Sequence, residues 1–331
     1  MNRTPAGWHT VTGMHPALSW SNGPALSLSK GLFLSPQKIA AACAMVLAVC
    51  SPAQAQAIEP FDHLHLAVSD VEQARDWYIQ HMGGNPGETP DAVAWGTWPV
   101  DHPLPIQLLF TLSDGARPSA GSSIDHIGFS FADLDATVST LRAAGVTIVS
   151  PVAEVPGLGK HAVAQDPWGT TLVLVQDSNT LGIHHVELRV ADPSESLGWY
   201  ARVFGGERTK YKGIVDAVVY RGLGVFYLLA VKDGDAAPSP GHAIDHLGFG
   251  PIDLDKVVGA LTADGVKFIS NPNPRLNPAC RVVTADSANG GQGLRRLYCE
   301  DPPQLAHRTV FLDAPGGVRI ELVQHLEAGG H

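Results

Sequence analysis

The chain has 331 residues, of which 44% are hydrophobic and 16% charged, a globular composition with ample apolar material for a core. Its net charge of -10 and the absence of any basic run argue against nucleic acid or an anionic membrane as a partner.

The first element in chain order is a leader. Residues 1–30 are rich in Gly, Pro and Ser without periodicity, and Lys38 then precedes an apolar run, Ile39–Val49, followed by Ser-Pro-Ala-Gln-Ala-Gln-Ala. The run is shorter than the roughly 20 apolar residues that span a bilayer. Its order of charge, apolar run and Ala-x-Ala predicts a secretory signal cleaved near Ala55 or Ala57, hence a periplasmic or secreted protein with no membrane contact after cleavage. Cys43 and Cys50 leave with residues 1–57. Cys280 and Cys299 remain, and export favours a disulfide between them.

From residue 58 onward one pattern is written four times. Its copies open at Phe61-Asp-His63, Ile124-Asp-His126, Ile183-His-His185 and Ile244-Asp-His246. Trp77-Tyr78 and Trp199-Tyr200 lie 14 and 15 residues after His63 and His185, and Gly145 and Gly265 both lie 19 after His126 and His246. An ungapped match of this kind means two halves of two modules each.

Each module begins with a strand of period two. Leu64, Leu66 and Val68 share one face and His63 and His65 the other; Val186, Leu188 and Val190 oppose His185, Glu187 and Arg189. The apolar face packs a helix, and the face bearing His, Glu and Arg lines a cup, because a dry core would leave those groups unpaired. Helices are predicted over Asp70–Met82, Asp133–Ala144, Pro193–Phe204 and Asp253–Asp264. Further strands are predicted over Ala92–Trp98, Ile106–Leu112, Val146–Ser150, His161–Gln165, Thr171–Gln176, Ile214–Arg221, Val225–Lys232, Val266–Ser270, Arg308–Asp313 and Arg319–His325. The expected class is α+β, with four βαβββ modules in two half-barrel domains: 58–178 and 179–331. An irregular insert of about 271–305 reads as a lid.

The His-x-x-Leu openings, the Trp-Tyr pairs and the closing segments Asp166–Val175 and Asp313–Val323 resemble the vicinal oxygen chelate superfamily. That superfamily includes glyoxalase I, bleomycin and fosfomycin resistance proteins and extradiol dioxygenases. The resemblance covers about 58–326 and implies a half-barrel around one divalent metal, with ligands from the first and last strands of paired modules. Carried over, it implies His185, His246 and Glu321 as metal ligands. This two-His, one-carboxylate set suits Fe(II) first, with Zn, Ni or Mn as alternatives. The first half offers His63, His126 and Gln107, but Val173 stands where Glu321 would, so this half is expected to be metal-free.

The layout is similar to that of two-domain extradiol dioxygenases, which implies a small-molecule substrate with vicinal oxygens. Phe311 stands where their signature has Tyr. Tyr227, His307 and Glu187 are the candidate catalytic groups. A glyoxalase-like lyase or isomerase and a non-catalytic, resistance-type binding protein are the alternatives, and a homo-oligomer is left open.

If the leader is a signal, N-terminal sequencing of protein exported by a bacterial host should begin just after Ala55 or Ala57. An intact leader on soluble cytoplasmic protein would remove the basis for export.

Overall fold

The computed structural model describes residues 58–87, 89–95, 106–221, 225–251, 253–269, 273–274, 281–284, 295–300, 303–305 and 307–325; side chains at 58–60, 251, 273–307 and 325 are outside this description. The first module comprises β1 (Ile58–Val68), α1 (Val71–Met82), β2 (Asn85–Pro86), β3 (Ala92–Trp95) and β4 (Ile106–Leu112). The second comprises β5 (Ile124–Phe131), α2 (Leu134–Ala143), β6 (Thr147–Val155), β7 (Gly159–Gln165) and β8 (Thr171–Gln176). The third comprises β9 (Gly182–Val190), α3 (Pro193–Phe204), β10 (Glu207–Tyr211), β11 (Val215–Arg221) and β12 (Val225–Lys232). The fourth opens with β13 (Ile244–Pro251), α4 (Leu254–Ala263) and β14 (Asn273–Pro274). It continues through β15 (Arg281–Thr284), β16 (Arg295–Glu300) and β17 (Pro303–Leu305) to β18 (His307–Ala314) and β19 (Val318–His325).

All four helices among the described residues are capped by aspartate. Asp70, Asp133, Asp192 and Asp253 accept from the backbone N–H of Gln73, Ala136, Glu195 and Lys256. Each carboxylate fills an orphan donor of the first turn, so three helices start one residue later than expected: the aspartate is the cap. The apolar faces behave as the period predicts. Leu64, Leu66 and Val68 are buried with Tyr78 and Met82 of α1, and Val186, Leu188 and Val190 with Leu197 and Tyr200 of α3, in one core cluster. Each such side chain contributes about 1.5–3 kcal/mol relative to exposure.

The sheets do not follow the sequence halves. One runs β14-β18-β19-β13-β1-β4-β3-β2 and the other β10-β11-β12-β9-β5-β8-β7-β6. The first strands pair antiparallel across the halves, β1 with β13 (His65 opposite His246) and β5 with β9 (His126 opposite Glu187). Module one therefore shares a sheet with module four, and module two with module three. The two crossovers, 113–123 and 233–243, are bonded to each other. Arg117 N–H donates to Gly241 O (3.0 Å), Ala243 N–H to Arg117 O (2.7 Å) and Ser123 N–H to Ala237 O (2.7 Å).

Other differences are local. Glu207–Tyr211 forms a strand the pattern did not predict, paired to β11. The expected strand at Val266–Ser270 is reduced to one bridge, Phe268 to Leu312. The insert, expected to be irregular, contains a three-stranded sheet of β15, β16 and β17. Residues 1–57, Cys280 and the Cys299 side chain lie outside the described residues, and so do the expected signal and disulfide. Among the described residues no helix is long and apolar enough to cross a membrane.

A single backbone cut within 177–181 should leave the two pieces together. Each sheet contains strands from both sides of that cut, so the nicked protein should run as one species in native size exclusion. Pieces that separate without denaturant would contradict the exchanged topology.

Candidate metal centre

In a regular strand successive side chains alternate faces, so Asp62 and His63 would point apart. The register prevents this. Phe61 is opposite Phe249 and His63 opposite Gly248, which leaves Asp62 unmatched; His65 is opposite His246 and Leu66 opposite Ile244, which leaves Asp245 unmatched. A bulge of this kind re-aims the extra residue. Each aspartate reaches the ring of the histidine beside it: His63 Nδ1 donates to Asp62 (2.7 Å) and His246 Nδ1 to Asp245 (2.8 Å).

With Nδ1–H engaged, a neutral imidazole offers only a lone pair at Nε2. Both lone pairs point at one carboxylate oxygen. Glu321 Oε2 lies 3.1 Å from His63 Nε2 and 3.1 Å from His246 Nε2. These groups are buried, and three acceptors converging without a proton repel one another. A cation resolves the conflict. In its absence a proton does: burial works against an imidazolium at His63, but Asp62 and Glu321 outweigh it and raise the pKa to about 10. The same two imidazoles hold the Glu321 carboxyl well below its usual range, against the effect of burial.

Two neighbours complete the cup. Gln107 on β4 is buried and directly beside His63. His65 bonds Thr111 Oγ1 through Nε2 (2.5 Å), while its buried Nδ1 has no hydrogen-bond partner. Burial, with His246 and His63 nearby, lowers its pKa to about 3, so it is a neutral donor of a lone pair. One ligand atom from each of His63, His65, His246 and Glu321 lies within 4.8 Å of the others. Nitrogen and oxygen donors with a single anion suit a borderline divalent ion such as Zn(II), Fe(II) or Mn(II), so the residues present fit a metal. Phe311, opposite Glu321 on β18, packs edge-on against His246 with centroids 5.3 Å apart.

The structure brings together two of the three expected ligands. His246 and Glu321 come together, but His185 lies in the other sheet, where its Nε2 faces His126 Nε2 at 3.2 Å. His63, assigned by sequence to a metal-free half, takes its place. Tyr227, opposite His185, and Glu187, opposite His126, also belong to that second cup and are far in the chain's sheets from Glu321. The His307 side chain lies outside the described residues. His65 was overlooked as a donor, although its spacing from His63 placed it on the same face. A second overlooked signal was the Asp-His dipeptide at 62–63, 125–126 and 245–246, which 184–185 lacks.

Gly248 makes the room. A Cβ there would stand 2.2 Å from the His63 ring, closer than atoms approach. Gly248→Ala should displace His63, cost about 1–3 kcal/mol by overpacking, and weaken metal binding. Chemical denaturation and metal titration would check it; native stability together with native affinity would show that the His63 ring does not need that gap.

A model of the Glyoxalase/Bleomycin resistance protein/Dioxygenase superfamily matches the chain twice, over residues 61–174 and 182–322. A search of curated protein sequences gives no match. Among solved structures, glyoxalase I from Zea mays is similar at 18% identity with a TM-score of 0.59, covering 80% of this chain and 92% of that one. A variant of the same Zea mays enzyme gives 19% identity and a TM-score of 0.58, covering 80% and 92%. At such identities the likeness speaks for the fold alone. Both repeats are matched, and the four modules and their two mixed sheets agree with the match. The chain belongs to the Glyoxalase/Bleomycin resistance protein/Dioxygenase superfamily.

Proposed function

We propose that the cup of modules one and four holds one divalent metal through His63, His246 and Glu321, and that the protein is a metal-dependent enzyme acting on a small substrate with two adjacent oxygens. Within that class the reading is a glyoxalase-like isomerase or lyase. It rests on His65, whose unpartnered Nδ1 supplies a fourth donor. A six-coordinate ion with four protein donors keeps two open positions, enough for a two-oxygen substrate but not for dioxygen as well. When bound, the metal polarises a substrate carbonyl. Asp62 and Asp245 fix the imidazole tautomers, Thr111 orients His65, and Gln107 offers an amide to a substrate oxygen. Phe311 supplies no proton or hydrogen bond.

The extradiol dioxygenase reading is favoured by the two-His, one-carboxylate core, which suits Fe(II). Oxygen uptake separates the two. Fe(II)-loaded protein should consume no oxygen with a panel of catechols. A panel of 2-hydroxy and 2-oxo carbonyl compounds should instead gain deuterium from D2O at the adjacent carbon. His65→Ala should weaken metal binding by about 10–100-fold, as the loss of metal-site support does elsewhere. Oxygen uptake by the loaded wild-type protein, with unchanged affinity in the variant, would establish the dioxygenase instead. Export, with residues 1–57 removed, remains part of this proposal and rests on the leader sequence.

A further inference from the structure

The second cup has the plan of the first, and its substitutions fall on the groups that handle charge. Across β12, β9, β5, β8 and β7 one row reads Tyr227, His185, Gly128, Val173 and Val163. The matching row of the first cup reads Gln107, His63, Gly248, Glu321 and Phe311. Gly128 leaves space for the His185 ring as Gly248 does for His63: a Cβ would stand 2.0 Å from it. Val173 stands in place of the carboxylate. The bulged residue behind the first histidine is His184 in place of Asp62, since Gly128 is opposite His185 and Phe129 opposite Ile183.

The two imidazoles still converge, with 3.2 Å between Nε2 atoms, but the nearby carboxylates face the other nitrogen of His126. Asp125 accepts from His126 Nδ1 (3.0 Å) and is held by Arg189 Nε (2.6 Å). Glu187 Oε1 lies 3.9 Å from that same Nδ1. A divalent ion at the Nε2 pair would lack a matched anion, which a buried dication requires; on the Nδ1 side Asp125, His126 and Glu187 come within 4.8 Å of one another, but Arg189 already supplies the positive charge there.

What remains is a chain of rings. His126 Nε2 meets His185 Nε2, and His185 Nδ1 meets His184 Nδ1 at 2.8 Å. At the far end His184 Nε2 is buried without a hydrogen-bond partner, 3.8 Å from Asp177 Oδ2. Proton counting assigns the charge. Three neutral imidazoles carry one N–H each. These fill the contacts only if all point toward Asp125, which strands the His184 Nε2 lone pair against the Asp177 carboxylate. One additional proton, placed on His126, reverses the other two tautomers. His126 then donates from both nitrogens, His185 donates to His184, and His184 Nε2–H points at Asp177. Every ring nitrogen is matched.

The three rings are also buried. Leu158, on the turn between β6 and β7, packs with Tyr211, Val215, Ala217 and Leu229, and Lys212 Nζ donates to its carbonyl. The charged and titratable groups around the chain are Asp125, Glu187, Arg189, Asp177, Lys212 and His161.

We propose that the second cup holds no metal and that one proton, resident on His126 and shared through His185 to His184, takes the cation's place. The electrostatics agree: burial opposes an imidazolium at His126, but Glu187 and Asp125 overcome it and raise its pKa. Burial lowers His185 well below its usual range and His184 to about 4.

The test uses the full-length chain with the first cup disabled by His63→Ala and Glu321→Ala, so that this inference and the proposed metal in the first cup fail separately. Zinc per chain is measured after loading and dialysis. Wild type should hold one, the double variant none, and the double variant with Val173→Glu one again. Zinc retained by the double variant would place metal in the second cup and overturn the proposal. A folded Val173→Glu chain without zinc would show that the missing carboxylate is not what excludes metal. Wild type without zinc would sink only the first-cup reading. Independently of any variant, nitrogen-15 NMR of the wild-type rings at pH 6 should find both His126 nitrogens protonated; a neutral His126 there would also overturn the proposal.

Discussion

Two buried imidazole nitrogens lie 3.1 Å from one carboxylate oxygen, and the surrounding structure answers to that convergence of electron pairs. Such an arrangement needs positive charge, from a cation or from a proton shared with the carboxylate. The supporting features follow from it. Bulges turn Asp62 and Asp245 onto the face of their own histidines, so that each ring keeps its lone pair inward. Gly248 gives the His63 ring a place to lie across a neighbouring strand. Glu321 comes from the last strand of the same sheet, parallel to the strand that carries His246.

The same scaffold appears twice, and the comparison separates what the scaffold needs from what the charge needs. The glycine under the ring and the bulge behind it are present in both cups. They are requirements of backbone and ring geometry, and they persist whatever is bound. The carboxylate and the aspartate behind the first histidine are what the second cup lacks. Where Val173 and His184 replace them, the rings bond to one another. The second cup buries its ring chain where β5 pairs with β9.

Superfamily membership fixes the modules and leaves the chemistry to a few side chains. The most consequential is His65, two residues beyond His63. Its buried Nδ1 has no hydrogen-bond partner, and the proposed choice between the two chemistries turns on it. Phe311 acts in the same direction, by presenting an apolar edge to His246 instead of a hydroxyl.

Much of this was legible in the chain itself. The fourfold repeat, the period-two faces and the aspartate-started helices depend on residues within one module, and local pattern determines them. The types of donor were equally legible: His246 and Glu321 were identified from position within their module. Their partner was not. The first strands of modules one and three carry the same period-two pattern, so either could supply the second histidine, and the one local difference is the residue before it, Asp62 against His184. That choice is made when β1 pairs with β13 and β9 with β5, through contacts between residues more than a hundred positions apart in the first case and through crossovers that bond to each other. Sequence determined the modules and the kinds of side chain that face each cup because both are local. Tertiary structure alone decided which donors share a cup, because strand partnership is set by the packing of the whole chain.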